Sequence, residues 1–167
     1  MVYIIPVEDM PEHERVAKIK EAVNYAYDAG KRLIKAPALV DRPAKPADFG
    51  ISGEEFTFNV SSGENTIVNR TLDDDEVIVI YAIGNISESP QVERITFGTG
   101  SEVFADIFIG DLYSKMVPEG YLSKPIIYSP KSKMVIKAYA KGSNTAEKLY
   151  FKAIVVEKEG KNITKPK

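Results

Sequence analysis

A series of short β-type runs across residues 56–159 constrains this chain more than any other feature. Val, Ile, Phe, Tyr and Thr concentrate at 55–61, 66–72, 76–85, 92–98, 103–109, 124–128, 134–141 and 148–157. Branched and aromatic side chains of this kind suit the pleated surface of a strand. In Phe56-Thr57-Phe58-Asn59-Val60 the apolar side chains share one face, because successive side chains of a strand point to opposite sides. Met134, Ile136, Ala138 and Ala140 alternate in the same way with Val135, Lys137, Tyr139 and Lys141. Val77-Ile78-Val79-Ile80-Tyr81-Ala82-Ile83 is apolar on both faces, the pattern of a central strand covered from both sides. Ser61-Ser62-Gly63-Glu64, Asp73-Asp74-Asp75, Ser87-Glu88-Ser89-Pro90, Gly98-Thr99-Gly100, Ser129-Pro130-Lys131-Ser132 and Lys141-Gly142-Ser143-Asn144 supply the turns. About eight strands in this space predict a mainly β fold, an antiparallel β-sandwich or jelly roll. The stretch 111–123, with Pro118 and Gly120, reads as a crossover or a surface loop.

The first fifty residues follow other rules. Pro11 and Glu12 mark a helix start, since proline fits the first turn and acids favour its positive end. Val16, Ile19, Ala22, Val23, Ala26 and Leu33 recur at helical spacing, and Gly30 is expected to weaken or end the helix. The apolar stripe is narrow, so the helix is expected to lie on another surface. Pro37, Pro43 and Pro46 then impose an extended path, either a linker or an arm along a neighbouring subunit. Residues 1–50 are accordingly read as an N-terminal arm with one amphipathic helix, 51–160 as the β-domain and 161–167 as a C-terminal tail.

Charge and composition narrow the function. A net charge of −2 makes no electrostatic case for nucleic acid or an anionic membrane as partner. The absence of cysteine removes disulfides, thiolate metal sites and cysteine nucleophiles. The N-terminus lacks a basic start and an apolar run, so no signal peptide is expected. Residues 51–100 hold nine acids and two bases, and residues 101–167 hold twelve lysines and seven acids. These halves are suited to pair within the fold or between subunits. Abundant Lys, Glu, Ile and Val without cysteine has a thermophile flavour.

His13 is the one histidine, so neither a serine triad nor a histidine-based metal site can be assembled. Asp73-Asp74-Asp75-Glu76 is the densest acidic cluster, but consecutive residues cannot all face one ion, and a tight hairpin turn is the better reading. Asp106 is placed on one strand face with Phe104 and Phe108, and Asp111 follows shortly after. A carboxylate there could do acid–base work only with a second acid about 5–9 Å away. Gly98-Thr99-Gly100 lacks the lysine and helix of a phosphate loop. Tyr113 and Tyr121 fall in the irregular stretch, where exposed rings could stack on sugars or serve a protein interface. The absence of tryptophan weakens the sugar reading.

The succession 76–85, 91–98, Ser101-Glu102-Val103-Phe104-Ala105-Asp106-Ile107-Phe108-Ile109, Gly120-Tyr121-Leu122-Ser123-Lys124-Pro125-Ile126-Ile127-Tyr128 and Ser132-Lys133-Met134-Val135-Ile136-Lys137-Ala138-Tyr139-Ala140 resembles the small jelly-roll structural proteins of tailed-phage virions. The likeness is to the decoration or cement proteins of capsids. It implies a non-enzymatic virion protein, made in a host cytoplasm, that binds the major capsid protein and its own copies, with a trimer favoured. It implies no cofactor, metal or catalytic residue. Val16, Ile19, Val23, Pro37, Pro43, Pro46, Tyr113 and Tyr121 are the expected interaction residues. A carbohydrate-binding or host-recognition module is the alternative.

Overall fold

In the computed structural model, which describes residues 2–164, four antiparallel strand pairs are nested one inside another. β2 (Leu39–Pro43) pairs with β11 (Leu149–Lys158), and β4 (Gly63–Thr71) with β9 (Lys133–Ala140). Inside these, β5 (Glu76–Asn85) pairs with β8 (Glu119–Tyr128), and β6 (Val92–Gly98) with β7 (Val103–Phe108). The innermost pair is closed by the expected turn at Gly98-Thr99-Gly100, where Gly100 takes φ +97°. Rolling such a nested ribbon sends successive pairs to alternate sheets, which is the jelly roll. One sheet has the order β1-β8-β5-β11-β2, with β1 (Ile4–Pro6) on its edge, and the other β4-β9-β6-β7. A small ribbon joins β3 (Phe58–Val60) to β10 (Asn144–Glu147).

The sandwich interior follows the sequence pattern. Ile78, Ile80 and Ile83 of β5 meet Ile95, Phe97, Ile107, Met134 and Ile136 from the facing sheet, all buried. Phe49, Phe56, Phe97 and Phe151 cluster there with ring centroids 5.4–6.0 Å apart. The opposite side chains of β5, Val77 and Val79, turn outward to the helix α1 (Glu12–Leu33). β5 is therefore covered on both faces, as its uninterrupted apolar run requires.

The first fifty residues differ from the arm that the sequence suggested. They contribute both edge strands of the five-stranded sheet, and α1 covers its outer face. The stripe of α1 is narrow because its contact residues are small. Ala22, Ala26 and Ala29 let the helix sit close on Val77, Val79, Ile154 and Val156. Gly30 does not end the helix. A Cβ there would lie 2.9 Å from Val156 Cγ1 and 3.1 Å from Leu39 Cδ1, so glycine permits the close approach. Pro43 is tolerated because β2 is an edge strand of the sheet.

Two connections also differ from expectation. Asp73-Asp74-Asp75 does not close a hairpin, since β4 and β5 belong to different sheets. The irregular stretch after Asp111 is short. A 3-10 turn spans Gly110–Ser114, and β8 begins at Glu119. No helix among the described residues is long and apolar enough to cross a membrane.

Candidate docking surface

The expected interaction residues do not gather into one surface. Ile19 and Val23 are half-buried against the sheet under α1, while Val16 stays exposed. Pro37 and Pro43 are exposed, and Pro46 opens the 3-10 turn Pro46–Phe49. Tyr121 is a β8 residue only 5% exposed, its ring 5.7 Å from that of Tyr81. The Tyr113 hydroxyl donates to the Val92 carbonyl and accepts from Asn85 Nδ2 at 3.1 Å. Tyr121 is therefore packed inside, and Tyr113 is half-buried with its hydroxyl tied to the chain.

Burial raises the Tyr81 hydroxyl to about 12 and pushes Tyr113, Tyr128 and Tyr150 above the ordinary phenol range. Their stabilising effect is complete below the unfolded value of about 10 and is lost as pH rises through the folded values. Stability is therefore expected to fall above about pH 10, with tyrosinate absorbance rising together with loss of circular dichroism. Complete tyrosine ionisation in a still folded protein would sink this expectation.

The buried charges are closed by partners from the chain itself. Arg42 donates through both terminal nitrogens to buried Asp48, at 2.8 and 2.7 Å, and through Nε to buried Glu157 at 2.9 Å. The acidic turn at Asp73–Glu76 holds a lysine in the place a metal cation would take. Lys161 Nζ lies 2.9 Å from Asp73 Oδ2 and 3.6 Å from Glu76 Oε2, and it also bonds Asp75. Arg70 pairs with the same Glu76. Buried Glu147 accepts from the Gln91 and Val92 amides, both at 2.8 Å, and from the side chains of Asn85 at 3.0 Å and Asn144 at 2.7 Å. Glu119 accepts from Tyr150 at 2.7 Å and pairs with Lys152 at 2.8 Å. Among the described residues, no group of three or more His, Asp or Glu is placed to hold a metal ion.

The surface that stands out was not among the expected residues. It lies on β7, the last strand of its sheet. Val103, Phe104 and Phe108 are 64%, 39% and 52% exposed. Asp106 shares the outward face with Phe108, as expected, but not with the Phe104 ring, since the register shift opposite Phe97 and Gly98 falls between them; Arg94 Nε lies 3.3 Å from the Asp106 carboxylate. Asp111 is exposed in the following 3-10 turn. The Phe104 ring reaches toward the other sheet, 5.4 Å from the buried Tyr128 ring. It borders a groove of about 360 Å³ lined by Val2, Lys124, Pro125, Ile126 and Ile127. In β8 Gly120–Leu122 pair with β1 and the Ser123 amide donates to the Tyr3 carbonyl at 2.8 Å, so the side of β8 is open only beyond Ser123. The open sides of the two sheets thus flank one apolar groove.

The signal for this surface was present in the run Val103 to Ile109, which is apolar on both faces apart from Asp106. No family model matches this chain, and no curated protein matches it.

Proposed function

We propose that the chain is a non-enzymatic structural protein of a tailed-phage virion, which decorates the capsid and stabilises it by docking on neighbouring proteins. The observation that carries this reading is the exposed apolar strip of Val103, Phe104 and Phe108 beside an open groove. Three exposed large apolar side chains on one edge strand, one of them bordering a groove, suit a docking site better than scattered single exposures do. Double-sheet jelly rolls serve capsid and lectin domains, an analogy of fold that supports the reading without carrying it. The buried carboxylates described above are held by internal donors, as suits a rigid building block.

Co-sedimentation tests the proposal. The purified protein should pellet with assembled shells of the phage whose capsid genes adjoin its own, and should raise their melting temperature. A protein that stays in the supernatant at saturating concentration, and leaves shell melting unchanged, would count decisively against decoration.

A further inference from the structure

We infer that the open edge of β7 binds an extended partner segment, in which apolar residues alternate with lysine or arginine, as an added strand. The inference rests on the assembly reading above and names its surface and the chemistry of its partner. Backbone parity comes first. The Ile109 amide donates to the Glu93 carbonyl at 2.8 Å, which fixes Ala105, Ile107 and Ile109 as the residues bonded toward β6, up to the register shift opposite Phe97 and Gly98. The backbone groups of Asp106 and Phe108 therefore point away from β6, where the sheet order places no further strand.

The other edges are blunted by familiar devices. β1 has three residues and ends in Pro6. β2 carries Asp41, Arg42 and Pro43. β4 carries Glu64, Asn65, Asn69 and Arg70. β7 is interrupted by the register shift near Val103, but from Ala105 onward it is regular, has neither proline nor lysine, and Val103, Phe104 and Phe108 are exposed along it.

Charge selects the partner. Residues 101–111 contain Glu102, Asp106 and Asp111 and no basic residue. Arg94, on the neighbouring β6, offsets part of this charge but sits on the far side of Asp106 from the open edge, and Lys124 lies in the groove wall, so a partner's cations are favoured over Asp106 and its apolar side chains in the groove. A strand laid along the edge turns alternate side chains to opposite faces. One set enters the groove beside Phe104 and Ile126, and the other lies over Asp106, where a cation is favoured. A second copy fits poorly. Two-fold pairing that sets Phe104 opposite Phe108 puts Asp106 directly across from its own counterpart, and like charges so placed are destabilising.

Amide hydrogen exchange of the full chain, followed by NMR, tests this with two synthetic peptides, Thr-Lys-Val-Lys-Val-Lys-Thr and Thr-Glu-Val-Glu-Val-Glu-Thr. The lysine peptide should slow exchange at Asp106 and Phe108 about tenfold, and the glutamate peptide should not. Asp106→Lys, at an exposed position, should reverse the preference. Equal slowing by both peptides, slowing by neither, or no reversal in the variant overturns the inference. Slowing that grows with protein concentration alone also overturns it, in favour of self-pairing. Shell binding that persists unchanged in Asp106→Lys removes this surface while leaving decoration standing, whereas a wild-type protein that binds the lysine peptide but no shell removes decoration alone.

Discussion

Replacing Arg42 with alanine is expected to lower the unfolding free energy by about 3–5 kcal/mol, the usual cost of stripping a buried ion pair of one partner. Asp48 and Glu157 are 0% and 2% exposed, and a single guanidinium bonds both. Neither carboxylate can recover water without moving the 3-10 turn that holds Asp48 or the strand that holds Glu157. The loss should also be local, because Arg42 sits in β2 and Glu157 in β11. Amides of 39–42 should exchange faster than those of β5. Arg42→Lys keeps the charge but cannot form the two-pronged contact with Asp48, so a smaller loss of about 1–2 kcal/mol is expected. Denaturant unfolding of the three proteins measures this. A loss below about 1 kcal/mol in the alanine variant would show that the cluster is dispensable.

Glu147→Gln is the second large effect, expected at about 2–4 kcal/mol. The substitution preserves volume and removes charge, so packing is not at issue. What changes is the acceptor count. Four donors converge on the Glu147 carboxylate, two of them backbone amides of Gln91 and Val92. A carboxamide presents one oxygen and one donor group, so at least one donor must face another. The cost is that of an unsatisfied buried group, and it falls where the β3–β10 ribbon meets the start of β6. Asp106→Asn supplies the contrast. Its carboxylate is 51% exposed and its pairing with Arg94 is a surface ion pair, so a loss within about 0.5 kcal/mol is expected. Equal losses in the two variants would contradict the role assigned to Glu147.

Both predictions concern residues whose sequence signal was weak. Glu147 lies between Ala146 and Lys148, just outside the β-type run at 148–157. Arg42 lies in a proline-rich stretch that reads as a linker. Each is buried by elements far away in the chain, β6 for one and β11 for the other. Local periodicity carries no trace of such encounters. The same reason explains β8, whose first half, Glu119-Gly120-Tyr121-Leu122, looked irregular. Gly120 lies beneath Ile4 of β1, and Glu119 is held by Tyr150 and Lys152.

Where a segment's own side chains decide its state, the reading was close. β5 and β6 occupy 76–85 and 92–98, as the runs predicted, because each is bounded by strong turn residues and β5 is apolar on both faces. The helix at 12–33 follows from spacing and from Pro11. The inward faces of β3 and β9 follow from alternation.

The sequence by itself determined the antiparallel sandwich, its main strands and the inward set of side chains, since period and turn chemistry act over a few residues. Only the tertiary structure decided that residues 1–50 complete a sheet and that β7 is an edge. β5 and β7 carry nearly the same two-faced apolar pattern, yet one lies between two sheet neighbours under a helix and the other meets water. Strand order separates them, and strand order is set by pairings between residues remote in sequence, such as Arg42 with Val155 and Ile95 with Ala138.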